Sequence, residues 1–168
     1  MHAPWRIEYI RNLPEEEGCF LCRARDQVGR EQENLLLWRT GNCLVVMNKF
    51  PYTAGHLLVA PAEHVAGLGE LDGEVMREMM ELTRDCTELL RQAMRAEGFN
   101  VGINIGRCAG AGLPEHLHLH VVPRWQADTN FMAVLGDVRM IPQSLRELRG
   151  ELLAEGESLK LPQVVYGK

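Results

Sequence analysis

Three histidines alternate with apolar residues in the stretch Glu115-His116-Leu117-His118-Leu119-His120-Val121-Val122-Pro123-Arg124-Trp125. A repeat of two is the period of a strand. The three imidazoles are therefore expected on one face, with Leu117, Leu119 and Val121 on the other. Imidazole changes protonation near neutral pH and can act as nucleophile, proton shuttle or metal ligand. A row of imidazoles is a poor core, because each buried ring needs a donor and an acceptor satisfied. On pattern alone, satisfied strand histidines and a metal-only cluster stand beside a catalytic site as readings.

A second group is Cys19-Phe20-Leu21-Cys22. Two thiolates can bind zinc, but a structural zinc takes four ligands. No second Cys-x-x-Cys follows, so the other ligands would be histidines, with His64 in Ala60-Pro61-Ala62-Glu63-His64 and His116 as candidates. Redox chemistry, or a pair of half-buried thiols, is the alternative. Five cysteines, an odd number, suit metal ligands or free thiols better than a disulfide framework. A third group is the glycine-rich run Arg107-Cys108-Ala109-Gly110-Ala111-Gly112-Leu113-Pro114 just before the histidines. Glycines let backbone approach a ligand, and free N–H groups can cradle phosphate. Any tight turn would use glycine too, so its placement beside the histidines carries the weight. Arg107 could neutralise a distal phosphate or could simply be solvated.

The elements that must position these groups follow from periodicity. Residues 34–39 and 43–48 are apolar runs joined by Thr40-Gly41-Asn42, the signature of a hairpin. Lys49 to Gly55 reads as a loop and His56 to Pro61 as a third strand. From Asp72 to about Glu97 the apolar residues fall at spacings of three and four, which predicts one long helix with Asp72 as N-cap and Gly98 as its stop. Phe99 to Gly106 reads as a strand, the histidine stretch as another, and Ser144 to Leu153 as a final helix. The sum is an α+β fold: a mainly antiparallel sheet of about five strands with one long helix and a C-terminal helix.

His116-Leu117-His118-Leu119-His120-Val121-Val122 resembles the signature of the histidine triad (HIT) family, and the likeness extends to Asn48 and to Gly55-His56-Leu57-Leu58-Val59-Ala60-Pro61. The resemblance implies a HIT-like fold and attack on a nucleotide α-phosphate by the middle histidine, His118. It implies supporting catalytic roles for His120, His116 and His56. Asn48 would lie near the ribose, with Asn104, Gly106, Arg107 and Gly112 near the phosphates. Zinc-bearing relatives imply a structural zinc on Cys19, Cys22, His64 and His116, and a divalent cation could accompany the nucleotide. The tail from Arg124 to Leu145 is similar to a microbial branch linked to diadenosine polyphosphate cleavage, by hydrolysis or phosphorolysis. The implied function is cleavage of dinucleoside polyphosphates such as diadenosine tetraphosphate through a nucleotidyl-histidine, with water or phosphate as acceptor. The alternatives are a nucleoside phosphoramidase or a nucleotide-binding regulator with little turnover.

The 168 residues suit one domain, divided as an arm (1–17), a core (18–145) and an extension (146–168). The arm carries Trp5, Ile7, Tyr9 and Ile10, which need cover. With a Met-rich helix, and by resemblance, this suits a homodimer. A net charge of −5 leaves no broad footprint for a nucleic acid polymer. No apolar run approaches membrane-spanning length and no signal-peptide core is evident, so a cytoplasmic protein without membrane partners is expected.

Overall fold

The computed structural model describes residues 18–128 and 143–161. The arm before residue 18, the tail over 129–142 and the end after 161 lie outside the described residues.

In chain order the elements are α1 (Phe20–Asp26), β1 (Leu36–Arg39), β2 (Cys43–Met47), β3 (Leu57–Pro61), α2 (Gly73–Met94), β4 (Gly98–Ile103), β5 (Leu119–Arg124) and α3 (Leu145–Leu159). The strands form one five-stranded sheet in the order β1-β2-β3-β5-β4, and every neighbouring pair is antiparallel. This is the expected α+β architecture. The hairpin turn is closed by Thr40, whose N–H donates to the Cys43 carbonyl while its Oγ1 accepts from the Cys43 N–H, both at 2.9 Å.

The two faces of the sheet are covered by different helices. Cys43, Val45, Met47, Leu57, Val59, Leu119 and Val121 alternate onto the face that packs on α2, against Met79, Leu82, Cys86, Leu89 and Leu90. Leu44, Val46, Leu58 and Ala60 face the other way, beneath Leu21 and Ala24 of α1. Burying each large aliphatic side chain contributes roughly 1.5–3 kcal/mol, so these two layers fix the register. His120 stands opposite Leu58 on β3 and Gly102 on β4, and so belongs to the α1-side face.

Several boundaries differ from the periodicity reading. Helix α2 is capped by Asp72, whose carboxylate accepts the Glu74 N–H at 2.8 Å, but it stops at Met94. Arg95 takes the left-handed conformation (φ 54°), Ala96 turns into the core, and the Glu97 N–H pairs with the Arg124 carbonyl at 2.9 Å. Strand pairing thus claims the residues assigned to the last helical turn, and Gly98 opens β4 instead of closing the helix. Strand β4 ends at Ile103, ahead of the expected Gly106, which has φ +80°. Strand β5 begins only at Leu119, so His120 alone of the three histidines sits within it. The physical cause is Pro61 at the end of β3. It has no N–H for a further rung, and its carbonyl is taken by the His116 ring.

Helix α3 runs six residues past the expected Leu153. Ser144 and Glu147 form a capping box at its start, and Leu148 and Leu152 enter the main core. Arg149 Nε donates to the Leu36 carbonyl at 2.7 Å, which ties α3 to the edge strand β1.

Candidate active site and metal centre

His116 is fully buried; its ring belongs to one site and its backbone carbonyl to another. Its Nε2 lies 2.9 Å from the Pro61 carbonyl. A carbonyl only accepts, so Nε2 carries the proton and Nδ1 keeps its lone pair. That Nδ1 faces Cys19 Sγ at 3.1 Å and Cys22 Sγ at 3.6 Å, while His64 Nδ1 lies 3.2 Å from Cys22 Sγ. The four donor atoms all lie within 4.8 Å of one another. Around a tetrahedral zinc, with Zn–S near 2.3 Å and Zn–N near 2.0–2.1 Å, a sulfur and a nitrogen would be ~3.6 Å apart. The observed separations and the Cys2His2 donor set fit that ion. Helix α1 supplies the geometry, because Cys19 is its N-cap and Cys22 lies in its first turn. Burial pushes the Cys19 thiol above its ordinary pKa and the His116 imidazole below its own.

His118 is also buried, and its Nδ1 lies 2.8 Å from the His116 carbonyl. Nδ1 therefore holds the proton, and Nε2 presents a lone pair. Burial holds the His118 pKa below the usual imidazole value, with the bond to the His116 carbonyl acting in the opposite direction. A buried neutral imidazole with a fixed free lone pair is prepared to act as a nucleophile.

The next pair is set in the opposite sense. His56 Nδ1 accepts the Tyr52 N–H at 3.2 Å, so its proton sits on Nε2. That Nε2–H points at His120 Nδ1, 2.9 Å away. His120 Nδ1 is thus an acceptor, and its own proton lies on Nε2. The His118 and His120 rings meet edge to face with centroids 5.0 Å apart. One ring offers a lone pair and its neighbour a proton.

His120 opens on a cleft of about 370 Å³ lined also by Tyr52, Thr53, Asn100, Asn104 and Arg124. Asn104 Nδ2 lies 3.4 Å from His120 Nε2, and the isosteric flipped amide would place its oxygen there as an acceptor. Asn48 Nδ2 lies 3.2 Å from His56 Nδ1. The fold therefore gathers His56, His118, His120, Asn48 and Asn104 at one place and Cys19, Cys22, His64 and His116 at another, with His116 common to both. Gly106, Arg107 and Gly112 lie on the loop between β4 and the histidines, and the Arg107 guanidinium pairs with Glu115 at 3.1 Å. Of the three imidazoles expected along one strand, only His120 lies within β5; His116 and His118 precede it, and the His116 ring meets the cysteine cluster. Sequence reasoning missed Tyr52, Thr53, Asn100 and Arg124. Arg124 was within reach of it, because the period of two that carries His118 and His120 continues through Val122 to Arg124.

A histidine triad, buried at His116 and His118 and half-buried at His120, on an antiparallel sheet with one long covering helix defines a class, and the chain belongs to the histidine triad family: the HIT domain model matches residues 29–127. Among relatives, it is 41% identical to the AP-4-A phosphorylase of Mycobacterium tuberculosis over 91% of this chain and 82% of that one. It is 30% identical to the asymmetrical bis(5'-nucleosyl)-tetraphosphatase of Schizosaccharomyces pombe over 55% of this chain and 50% of that one. In fold it is similar to a zinc-bound histidine triad family protein from Mycobacterium smegmatis, with a TM-score of 0.68 at 24% identity, covering 85% of this chain and 96% of that one.

Proposed function

We propose that this protein is an enzyme that cleaves dinucleoside polyphosphates at the α-phosphate through a nucleotidyl-histidine on His118. The observation that carries this reading is the opposed hydrogen bonding of the two neighbouring rings, His118 Nδ1 on the His116 carbonyl and His120 Nδ1 on His56 Nε2. His118 Nε2 attacks the α-phosphorus, and the bond from phosphorus to the bridging oxygen breaks. His120 Nε2 gives its proton to the departing oxygen. His118 gains positive charge as the bond forms, and its Nδ1–H bond to the His116 carbonyl strengthens with that charge. An acceptor then loses a proton to His120 and displaces His118, which restores the starting state. Splitting one hard displacement into two easier ones is the advantage of the covalent route.

Of the two acceptors, the 41% identity to a protein named as a phosphorylase favours phosphate. Asn48 is proposed beside the ribose, with Asn104, Gly106, Arg107 and Gly112 along the phosphates. Zinc is proposed on Cys19, Cys22, His64 and His116. When bound it would cross-link α1 to the segments carrying His64 and His116. This chain's own His116 carbonyl would then be held where it fixes the His118 tautomer. Zinc-binding thiols suit a reducing cytoplasm, and no helix among the described residues is long and apolar enough to cross a membrane. A homodimer is proposed as well. Strand β4 is a sheet edge beside the cleft, with Val101 exposed, and open edges call for cover.

The test is incubation of purified protein with diadenosine tetraphosphate, with and without phosphate. ATP and ADP are expected with phosphate, ATP and AMP with water alone. An intact substrate under both conditions would remove this reading.

A further inference from the structure

The turn between β2 and β3 begins with an amide, Asn48, held at both ends of its side chain. Asn48 Oδ1 accepts the Phe50 N–H at 2.9 Å. This fixes which end of the carboxamide faces His56, and the Nδ2 group lies 3.2 Å from His56 Nδ1. The Tyr52 N–H converges on the same nitrogen at 3.2 Å. Two donors aimed at one ring nitrogen leave it unable to carry a proton. The proton of His56 must then sit on Nε2, which faces His120 Nδ1 at 2.9 Å. His120 in turn must keep its proton on Nε2, the atom that faces Asn104, which lines the cleft with it. From Asn48 to the cleft each bond constrains the next, and the constraint runs in one direction.

We infer that Asn48 is a positioning residue that, through His56, holds His120 in its proton-donating tautomer, whether or not it also meets a ribose. The inference rests on the reading of His120 as the proton donor. Its spectroscopic test needs no turnover, so the two can fail separately. With one of two donors removed, the wrong tautomer should gain roughly fivefold in population, since one such bond biases the ring by about 1 kcal/mol.

The experiment compares wild-type protein with Asn48→Leu and Asn48→Ser. Serine can still accept the Phe50 N–H and is too short to reach His56, so it covers the case in which the leucine variant does not fold. Nitrogen-15 NMR of the imidazoles reads the tautomers. His56 and His120 should be Nε2–H in wild type and shift towards mixtures in both variants, while His118 stays Nδ1–H. Kinetics use two aryl esters of AMP. The 4-nitrophenyl group leaves readily as the anion, whereas phenol, with a pKa near that of tyrosine (~10), needs the proton. The variants should lose up to about fivefold in kcat on the phenyl ester and distinctly less on the nitrophenyl ester, with KM nearly unchanged. An unchanged His120 tautomer in a folded variant would overturn the inference. So would an equal loss on both esters, or a loss confined to KM with weakened preference for ribose over 2'-deoxyribose. Failure of wild type to cleave either ester would count against the enzymatic reading, with the NMR result still deciding the tautomer claim.

Discussion

Gly55 stands immediately before His56, and two independent features forbid a side chain there. Its φ is +80°, in the left-handed region. A methyl group at Gly55 would also meet Met94 Sδ at 2.5 Å and Leu90 Cδ2 at 3.1 Å, at the point where β3 crosses the end of α2. The backbone penalty for alanine in this conformation is about 1 kcal/mol. The clash adds about 1–2 kcal/mol, towards the low end of overpacking costs because the Met94 thioether can rotate away. Gly55→Ala should therefore cost about 2–3 kcal/mol, which for a chain of this size lowers Tm by roughly 5–10 °C. Differential scanning calorimetry of Gly55→Ala, Met94→Ala and the double variant separates the two parts. The double variant should be less destabilised than the sum of the singles by about 1 kcal/mol, since the Met94 clash is then absent while the φ penalty and the Leu90 contact persist. A single variant within 1 °C of wild type would refute the packing described at this crossing. Strict additivity would refute the Met94 contact.

Other perturbations read different parts of the molecule. His64→Ala should lower bound zinc, measured by elemental analysis, and weaken thermal stability, because it removes one of four donors from a site whose binding energy is coupled to folding. His56→Phe should reduce kcat by at least tenfold in a diadenosine tetraphosphate assay while leaving metal content unchanged, because the ring that fixes His120 is lost and the cysteine cluster is not touched. Arg149→Met should cost about 1–2 kcal/mol in urea unfolding, the worth of a half-buried charged donor on the carbonyl of a buried residue, by freeing α3 from the Leu36 carbonyl. Leu82→Ala, at a fully buried position beneath the sheet, should cost about 2–5 kcal/mol in the same experiment.

Much of this was legible in the chain before any coordinates. The apolar runs at Cys43 to Asn48 and His56 to Pro61, and the spacing of Leu82, Cys86 and Leu89, give strands and a covering helix, but β2 and β3 are apolar on both faces, so pattern alone does not say which face meets α2. Cys19, Cys22, His64 and His116 were readable as one donor set, and the structure brings their ligand atoms together. What pattern could not supply was the inequality of the three histidines. A period of two treats His116, His118 and His120 alike, whereas Pro61, with no N–H for a further rung, ends the ladder at Leu119 and leaves its carbonyl to the His116 ring. The tautomers were equally hidden, since they depend on the carbonyls of Pro61 and His116 and on the Tyr52 N–H, backbone groups with no identity in a sequence. Helix α2 was overextended for a similar reason: a left-handed Arg95 carries no residue-type signal, whereas glycine at Gly98 does.

The central claim is that His118 alone forms the covalent bond to the nucleotide. Rapid acid-free quenching of the protein with diadenosine tetraphosphate labelled at the α-phosphorus, followed by peptide mapping by mass spectrometry, addresses it directly. The account predicts an adenylyl group on His118, absent in His118→Gln, and carried by wild-type protein in an amount that falls when phosphate is added. A label on His116 or His120, or rapid turnover with no labelled histidine at any time, would contradict it.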